Sequence, residues 1–286
     1  MGRPRPGGRG VAVSSADDHR AFVAAVGRAY EATGEEWSSG PARIYDRLAE
    51  ALVAASPVPV AGRTVLDVGA GTGAASLALG AAGARVVALD LAPAMLRAHR
   101  QAGAARVGAV AAEATALPIA AGSVEGLVAA FSFNHLPVPA AGFREAVRVG
   151  VPGAPVLVAA YAEDDDHPAK RAVDASAAAE GWRPEAWCDA MRSQVTAHLS
   201  TVEGMRSSAD VPGLVGDATV HRIDFPEIDP AAMIGWRMGM AHVAPFLAAA
   251  GPEVRRRVAQ RALTWLGPHP PPVLRSIVVY AGVVTG

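Results

Sequence analysis

What this chain can fold into is constrained most by one stretch, Val65-Leu66-Asp67-Val68-Gly69-Ala70-Gly71-Thr72-Gly73. A β-branched and aliphatic run ends in glycines at alternate positions, and an alanine-rich segment follows from Ala74. The pattern predicts a strand, a tight turn and the start of a helix. Glycines at such a turn let a ligand lie against bare backbone, and they leave the first N–H groups of the helix free to meet it. The same residues also satisfy the loose G-x-G-x-x-G/A pattern of dinucleotide sites, so glycines alone leave the ligand open. Asp67 narrows the choice. Two residues before Gly69, its carboxylate would face the doubly charged pyrophosphate of a dinucleotide, whereas it suits a ligand whose near end carries an ammonium.

The next strands point the same way. Residues 84–89 are apolar and stop at Asp90, about twenty residues after the first glycine, where an acid can accept both hydroxyls of a ribose. Val110-Ala111-Ala112-Glu113-Ala114-Thr115-Ala116-Leu117-Pro118 ends a third strand with another acid. Residues 126–136 give a fourth strand and its exit loop, Phe131-Ser132-Phe133-Asn134-His135-Leu136. In this order, Asp67, the glycine turn, Asp90, the Glu113–Pro118 segment and Asn134-His135-Leu136 resemble the class I S-adenosylmethionine-dependent methyltransferases. More narrowly they resemble the small-molecule enzymes that include those of ubiquinone and menaquinone biosynthesis. The resemblance covers residues 60–161 well and the remainder in outline. Glu113 stands where that family more often has Asp, as does Glu125 at the opening of the fourth strand, and both keep the charge. The resemblance implies S-adenosyl-L-methionine as cofactor. It places Asp67, Gly69, Ala70, Gly71, Gly73, Asp90, Leu91, Met95, Ala112, Glu113, Ala114 and Phe131 around it.

Along the chain, Asp17 and Asp18 can cap a helix over 19–30, with Phe22, Val23, Val26 and Tyr30 near one face. Thr33-Gly34 breaks it, and Pro41 suits the first turn of a second helix to about Ala55. In the family resembled, such a segment closes over the cofactor, which makes Tyr30, Trp37 and Tyr45 candidate pocket residues. The alternative is that these aromatics only staple the helices to the core. Helices over 74–82, 93–101 and 140–149 then alternate with strands up to 155–161. Repeats at this spacing imply a parallel sheet with helices on both faces and ligands beyond the carboxyl ends of the strands. Together with the antiparallel last strand that the resemblance implies, the expected fold is a Rossmann-like, doubly wound α/β sheet of about seven strands.

After Tyr161 the pattern changes. Helices are expected over 169–179, 185–207, 230–250 and 253–266, a sixth strand over 219–225 and a last strand over 276–284. The run Glu163-Asp164-Asp165-Asp166-His167 reads as a solvated loop, because adjacent acids rarely converge on one metal ion. The expected organisation is a tail over 1–16 and one domain over 17–286. That domain comprises N-terminal helices (17–59), a cofactor core (60–161) and helical lid insertions (162–215 and 229–268). Large apolar residues of the insertions, Trp182, Trp187, Met233, Trp236, Met240 and Phe246, are candidate walls of a substrate site or ordinary core filler. Trp236 is the first choice, since Met233 and Met240 share its helical face.

Composition excludes several classes. A net charge of −1 argues against a protein that works by neutralising nucleic-acid phosphates. The single cysteine, Cys188, cannot form an internal disulfide, which fits a reducing cytoplasm. No apolar run reaches the roughly 18 residues that span a bilayer, and Met1–Gly10 lacks the apolar core of a signal peptide. Apolar residues make up 51% of the chain, ample for a core.

Methyl transfer is an in-line displacement on an activated carbon, so the protein mainly aligns the acceptor and excludes water, and a base is optional. His135, leaving the fourth strand at the ligand edge, is the first candidate base, and His242, among the lid's apolar residues, the second. Each is equally readable as a locally satisfied histidine. Three function classes stay open. They are a methyltransferase acting on a small, rather apolar secondary metabolite or quinone-like acceptor, an enzyme using the same cofactor for a non-methylating cyclisation or rearrangement, and a nicotinamide-dependent oxidoreductase, which Asp67 disfavours.

Overall fold

The strongly apolar strand runs of the sequence pair side by side into one seven-stranded sheet, ordered β3-β2-β1-β4-β5-β7-β6. The computed structural model describes residues 16–33, 37, 42–101, 108–191 and 196–286. The expected tail lies outside them apart from Ala16, as do the breaker Gly34, the helix-opening Pro41 and the helix stop at Gly103. Strands β1 (Thr64–Val68), β2 (Arg85–Asp90), β3 (Gly108–Ala111), β4 (Gly126–Ala130) and β5 (Pro155–Tyr161) are mutually parallel. The last strand, β7 (Leu274–Val284), inserts antiparallel between β5 and β6 (Leu214–Asp224).

Alternate strand residues serve the two faces. Val65, Val128, Leu157 and Val279 join one apolar cluster, and Leu66, Leu127, Val158 and Val278 join the other. The first face is covered by α2 (Ala42–Ala54) through Leu48 and Leu52, by α3 (Ala74–Ala81) through Leu79, and by later helices. The second is covered by α5 (Pro139–Val149) through Phe143 and Ala146. Ahead of them, α1 (Ala16–Glu31) reaches the carboxyl edge of the sheet. There Glu31 accepts the Ala94 N–H and an Arg97 N–H, each at 2.7 Å, at the start of α4 (Pro93–Gln101). A carboxylate at a helix N-terminus is favoured by the exposed N–H groups there.

Three sequence expectations need correction. The helix expected over 185–207 is α7 (Ala186–Ala190) followed, beyond four residues outside the described set, by a 3-10 turn (Thr196–His198) and α8 (Val202–Ala209). Thr201 accepts the Gly204 N–H and so starts α8 afresh. The stretch 230–250 is two helices, α9 (Pro230–Met238) and α10 (Ala244–Ala250), because the chain turns at Gly239 and Pro245 opens the next helix. Strand β6 begins five residues earlier than expected, at Leu214, inside the span assigned to the first insertion. It is an edge strand with Val215 62% exposed, so it lacks the apolar run that marks a buried strand.

The acidic run 163–167 is a loop solvated only in part, with Glu163, Asp164 and Asp166 exposed but Asp165 and His167 buried. Asp165 is buried and receives two guanidinium bonds from Arg275 of β7, at 2.9 and 2.8 Å, one from Lys170 Nζ at 2.7 Å and the Ser276 N–H at 3.0 Å. Burial alone would raise its carboxyl, but these bonds and the adjoining positive charges win and hold it below its ordinary value. His167 Nδ1 accepts the Ala169 N–H and caps α6 (Pro168–Ala179), while its Nε2 lies 3.2 Å from the Pro271 carbonyl. The insertions divide between the faces: α6, α9, α10 and α11 (Pro252–Leu266) pack on the first, and α8 packs on the second. No helix of the described residues is long and apolar enough to cross a membrane.

Candidate functional site

Beyond the carboxyl ends of β1, β2 and β4 lies an open cleft of about 1140 Å³, roofed by α1. The turn after β1 hooks back onto β2, with the N–H groups of Gly69 and Ala70 both donating to Leu89 O, at 2.7 and 2.9 Å. Gly69 has φ 71°, and a Cβ there would stand 2.2 Å from Ser132 Cβ, so only glycine fits between β1 and the β4 exit loop. Gly71 has φ 54°, and a Cβ on it would meet no protein atom within 4 Å. It would project into the space beside the turn, at a residue that lines the cleft.

Asp67 is fully buried at the floor of the cleft. Its Oδ2 accepts from Ser76 Oγ at 2.7 Å, while Oδ1 has no hydrogen-bond partner. Burial, helped by the nearby Asp90 charge and opposed by the Ser76 bonds, pushes its carboxyl up to about 7. A buried carboxylate oxygen left without a donor is costly and marks a place for a cationic donor. Asp90 accepts the Gly71 N–H on Oδ2 and the Ala92 N–H on Oδ1, both at 2.8 Å. Each oxygen keeps a further lone pair for a ligand hydroxyl.

The expected residues around this space fall in three groups. Ala70, Leu91, Met95, Ala112, Ala114, Phe131, Tyr30 and Trp37 line the cleft with Asp67, Gly69, Gly71 and Asp90. Glu113 lies at the rim, accepting from Thr115 Oγ1 at 2.6 Å with its side chain 39% exposed. Gly73 does not line it; it sits behind the turn against the His99 ring. Trp37 is stacked between Tyr30 and Tyr45, ring centroids 5.6 and 5.2 Å away, so these aromatics both pack the core and wall the cleft. Val23, Val26 and Gly27 of α1, and Ser132 after β4, also line it, and the sequence reading does not assign them to the cleft.

A second cleft of about 710 Å³ shares Tyr30, Tyr45, Phe131 and His135 with the first. His135 therefore stands at the junction. Its Nε2 lies 3.2 Å from the Tyr30 hydroxyl, and burial drives its pKa down to about 4. It is a neutral ring across the physiological range. Phe131, the one non-glycine with positive φ (58°) among the described residues, turns the chain between the clefts, a conformation that costs of order 1–3 kcal/mol.

Of the proposed acceptor walls, Trp187 and Met240 line the second cleft, together with His242. Trp182, Met233, Trp236 and Phe246 line neither. Trp182 donates to the His242 carbonyl at 2.9 Å. Trp236 is buried, with the Arg275 guanidinium 4.3 Å from its ring centroid and equally close to the Tyr161 ring. The burial of that cation selects Trp236 as its packing partner rather than a ligand wall. Arg237 and Tyr161 line the second cleft and went unrecognised in the sequence. Nothing distinguished Arg237, between Trp236 and Met238, from a surface charge. Among the described residues no group of acids, histidines and cysteines could hold a metal ion.

Residues 66–158 match the family described as methyltransferase domain, the stretch that carries the glycine turn, Asp67, Asp90 and the β4 exit. Over these residues the chain carries a methyltransferase domain. A demethylmenaquinone methyltransferase of Clavibacter sepedonicus is 36% identical over 138 residues, covering 48% of this chain and 55% of that protein. The chain thus spans about half the length of the curated relatives it matches. Among solved structures, an Anabaena variabilis putative methyltransferase from an antibiotic biosynthesis pathway superposes with TM-score 0.55 at 16% identity, over 82% of this chain and 96% of that one. Phosphoethanolamine N-methyltransferase 2 of Haemonchus contortus superposes with TM-score 0.54 at 18% identity, over 84% and 53%. These two share the methyltransferase domain's fold. The orphaned Asp67 oxygen, the bare Gly71 backbone and the doubly anchored Asp90 fit the ammonium, amino-acid backbone and ribose of the family's cofactor.

Proposed function

We propose that this protein transfers the methyl group of S-adenosylmethionine to a small, apolar-bodied acceptor such as a secondary metabolite or quinone-like compound, in the cytoplasm. The single observation that carries this is the buried, partnerless Oδ1 of Asp67 in the cleft that the glycine turn also lines. Asp67 would accept the ammonium, the turn from Gly69 to Gly71 would lie along the methionine portion, and Asp90 would take the ribose hydroxyls. Leu91, Met95, Ala112 and Ala114 would flank the adenine, with Glu113 at its edge. Bound there, the cofactor supplies a sulfonium methyl that passes to the acceptor as the carbon–sulfur bond breaks and S-adenosylhomocysteine forms.

The chain's own residues align the reaction. Tyr30, Trp37, Tyr45 and Phe131 would surround the sulfonium with ring faces and edges and keep water away. His135 stays uncharged beside it, which suits the place, because an imidazolium there would repel the donor's positive charge. It would also hold the Tyr30 hydroxyl in position to meet an acceptor hydroxyl at the junction of the clefts. His242 would belong to the acceptor end. The small-molecule nature of the acceptor is supported by the second cleft's size of about 710 Å³ and by the balanced net charge.

Calorimetric titration with S-adenosylhomocysteine tests the donor site. Binding to the natural chain, with Asp90→Ala weaker by roughly 2–4 kcal/mol, is expected, since hydrogen bonds to charged groups contribute about 1.5–3 kcal/mol each. Equal affinity in that variant would overturn the assignment.

A further inference from the structure

The second cleft has a chemical bias that the donor site does not share. Arg237 of α9 lines it, and its Nε and Nη2 are committed to Asp174 of α6, at 2.9 and 2.7 Å. That fork fixes the guanidinium plane, and among the described residues Nη1 has no bond. Trp187, 8% exposed, lines the same cleft with its Nε1–H buried and unpartnered. Both are donor-only groups. No Asp or Glu among the described residues lines this cleft, and its remaining walls are Tyr30, Tyr45, Phe131, Tyr161, Met191 and Met240 with a few polar side chains. A buried donor left unmatched costs free energy until a ligand supplies an acceptor atom. The sulfonium at the neighbouring cleft would add a second positive centre.

We infer that the methyl acceptor carries an anionic oxygen, a carboxylate or a phenolate, seated on Arg237 Nη1 with Trp187 Nε1–H as a second donor. Its apolar body lies among the tyrosines and methionines, and its nucleophilic atom points back to the junction at Tyr30 and His135. Cationic amines are rejected, because they would meet a guanidinium at one end, a sulfonium at the other and no carboxylate between. Asp174 is a positioning residue. It holds the guanidinium fork without touching the acceptor, and Arg237 selects by charge.

The inference rests on the proposed methyl-transfer function, so donor and acceptor sites are measured separately. S-adenosylhomocysteine is titrated first. Three probes are then titrated into the free and the S-adenosylhomocysteine-loaded chain: 3-hydroxy-2-naphthoate, its methyl ester across the ionisation of the phenol, and 2-naphthylmethylammonium. The expected order puts an anion above the cation by about tenfold or more, the worth of a charge-assisted hydrogen bond. If the carboxylate is the group read, the acid binds tighter than its ester at every pH. If the phenolate is read, the ester gains affinity as its hydroxyl ionises. Arg237→Gln should shrink the anion-over-cation ratio to within about threefold while S-adenosylhomocysteine affinity holds. Asp174→Asn combined with Arg237→Gln removes the unpaired buried acid and gives the same result should the single variant unfold. Trp187→Phe should weaken the anionic probes by about threefold and leave the cation unchanged.

Equal affinity for anion and cation, a preference for the cation, no probe binding at millimolar concentration, or a ratio untouched in a folded Arg237 variant each overturns the inference. Loss of S-adenosylhomocysteine binding overturns the donor assignment alone, and the probe ratio in the free chain still decides the acceptor.

Discussion

The two clefts that meet at His135 are built by different means. The donor cleft takes its glycine turn and its acids from the carboxyl ends of neighbouring strands, with side chains of α1 and α2 closing over them. The acceptor cleft is made of side chains from α1, α2, the β4 exit loop, β5, α7, α9 and the turn after α9, segments far apart in sequence. A site of the first kind is specified by spacing, because glycine φ angles and strand-end positions leave few alternatives. A site of the second kind is specified only by packing, and each of its residues has an ordinary core alternative.

The sharpest way to break this contrast is Gly71→Val. Its φ of 54° disfavours a branched side chain, and the added atoms would fill cleft space rather than strike protein. Donor binding should fall below detection, by about 100-fold or more, while the strands keep their pairing. Calorimetry with circular dichroism checks it, and a variant with full affinity would show that the turn does not carry the site.

Trp236→Ala should have a comparably large effect, and on the other side of the contrast. The sequence offers Trp236 as an acceptor wall, but its ring packs on the buried Arg275. Its removal should therefore lower stability by about 3–5 kcal/mol, as for large aromatic truncations. Chemical denaturation measures this. A small loss of stability with a selective loss of acceptor affinity would restore Trp236 to the site.

The smallest effect is expected from Asp67→Asn, and it links function to stability. Because burial raises the Asp67 carboxyl to about 7, the folded free chain holds that proton more tightly than the unfolded chain. The associated stabilisation is complete below the ordinary carboxylate value and is lost as pH rises through about 7. The amide removes this dependence. At about pH 8 the free variant should melt higher than the natural chain, and in acid the two should converge. Donor affinity should meanwhile drop by roughly 1–3 kcal/mol, the worth of one bond to a charged group. A variant that melts lower at about pH 8, or binds S-adenosylhomocysteine as well, would show that the orphaned oxygen is not the ammonium site.

Legibility in the sequence follows the same division. The α/β alternation, the glycine turn and the acids of the donor cleft could be read because each depends on local period and spacing. The start of β6 could not, since an edge strand with Val215 and Gly216 in solvent has no apolar run to show. Asp165 was misread because nothing near it in sequence announces Arg275, which lies 110 residues later and supplies the charge that makes its burial tolerable. Arg237 was missed for the same reason: Asp174, its partner, lies 63 residues away. Trp187 was singled out for its size, whereas its unpaired N–H became visible only once its surroundings were known.

The place of β7 carries a consequence for the order in which the fold is completed during synthesis. Strands β1 to β5 find all their parallel partners among residues emerged by Tyr161, so the donor half has its pairing in hand early in synthesis. Strand β6 has no neighbour but β7, and Asp165 waits for Arg275 on that same strand. Until residues 274–284 leave the exit tunnel, the nascent chain carries a buried-type acid without its cation and an open edge on β5. Both favour aggregation or chaperone capture. Completion of the sheet is thereby tied to β7, and a chain stalled before it would have the strands under the first cleft paired but Asp165 still without its cation.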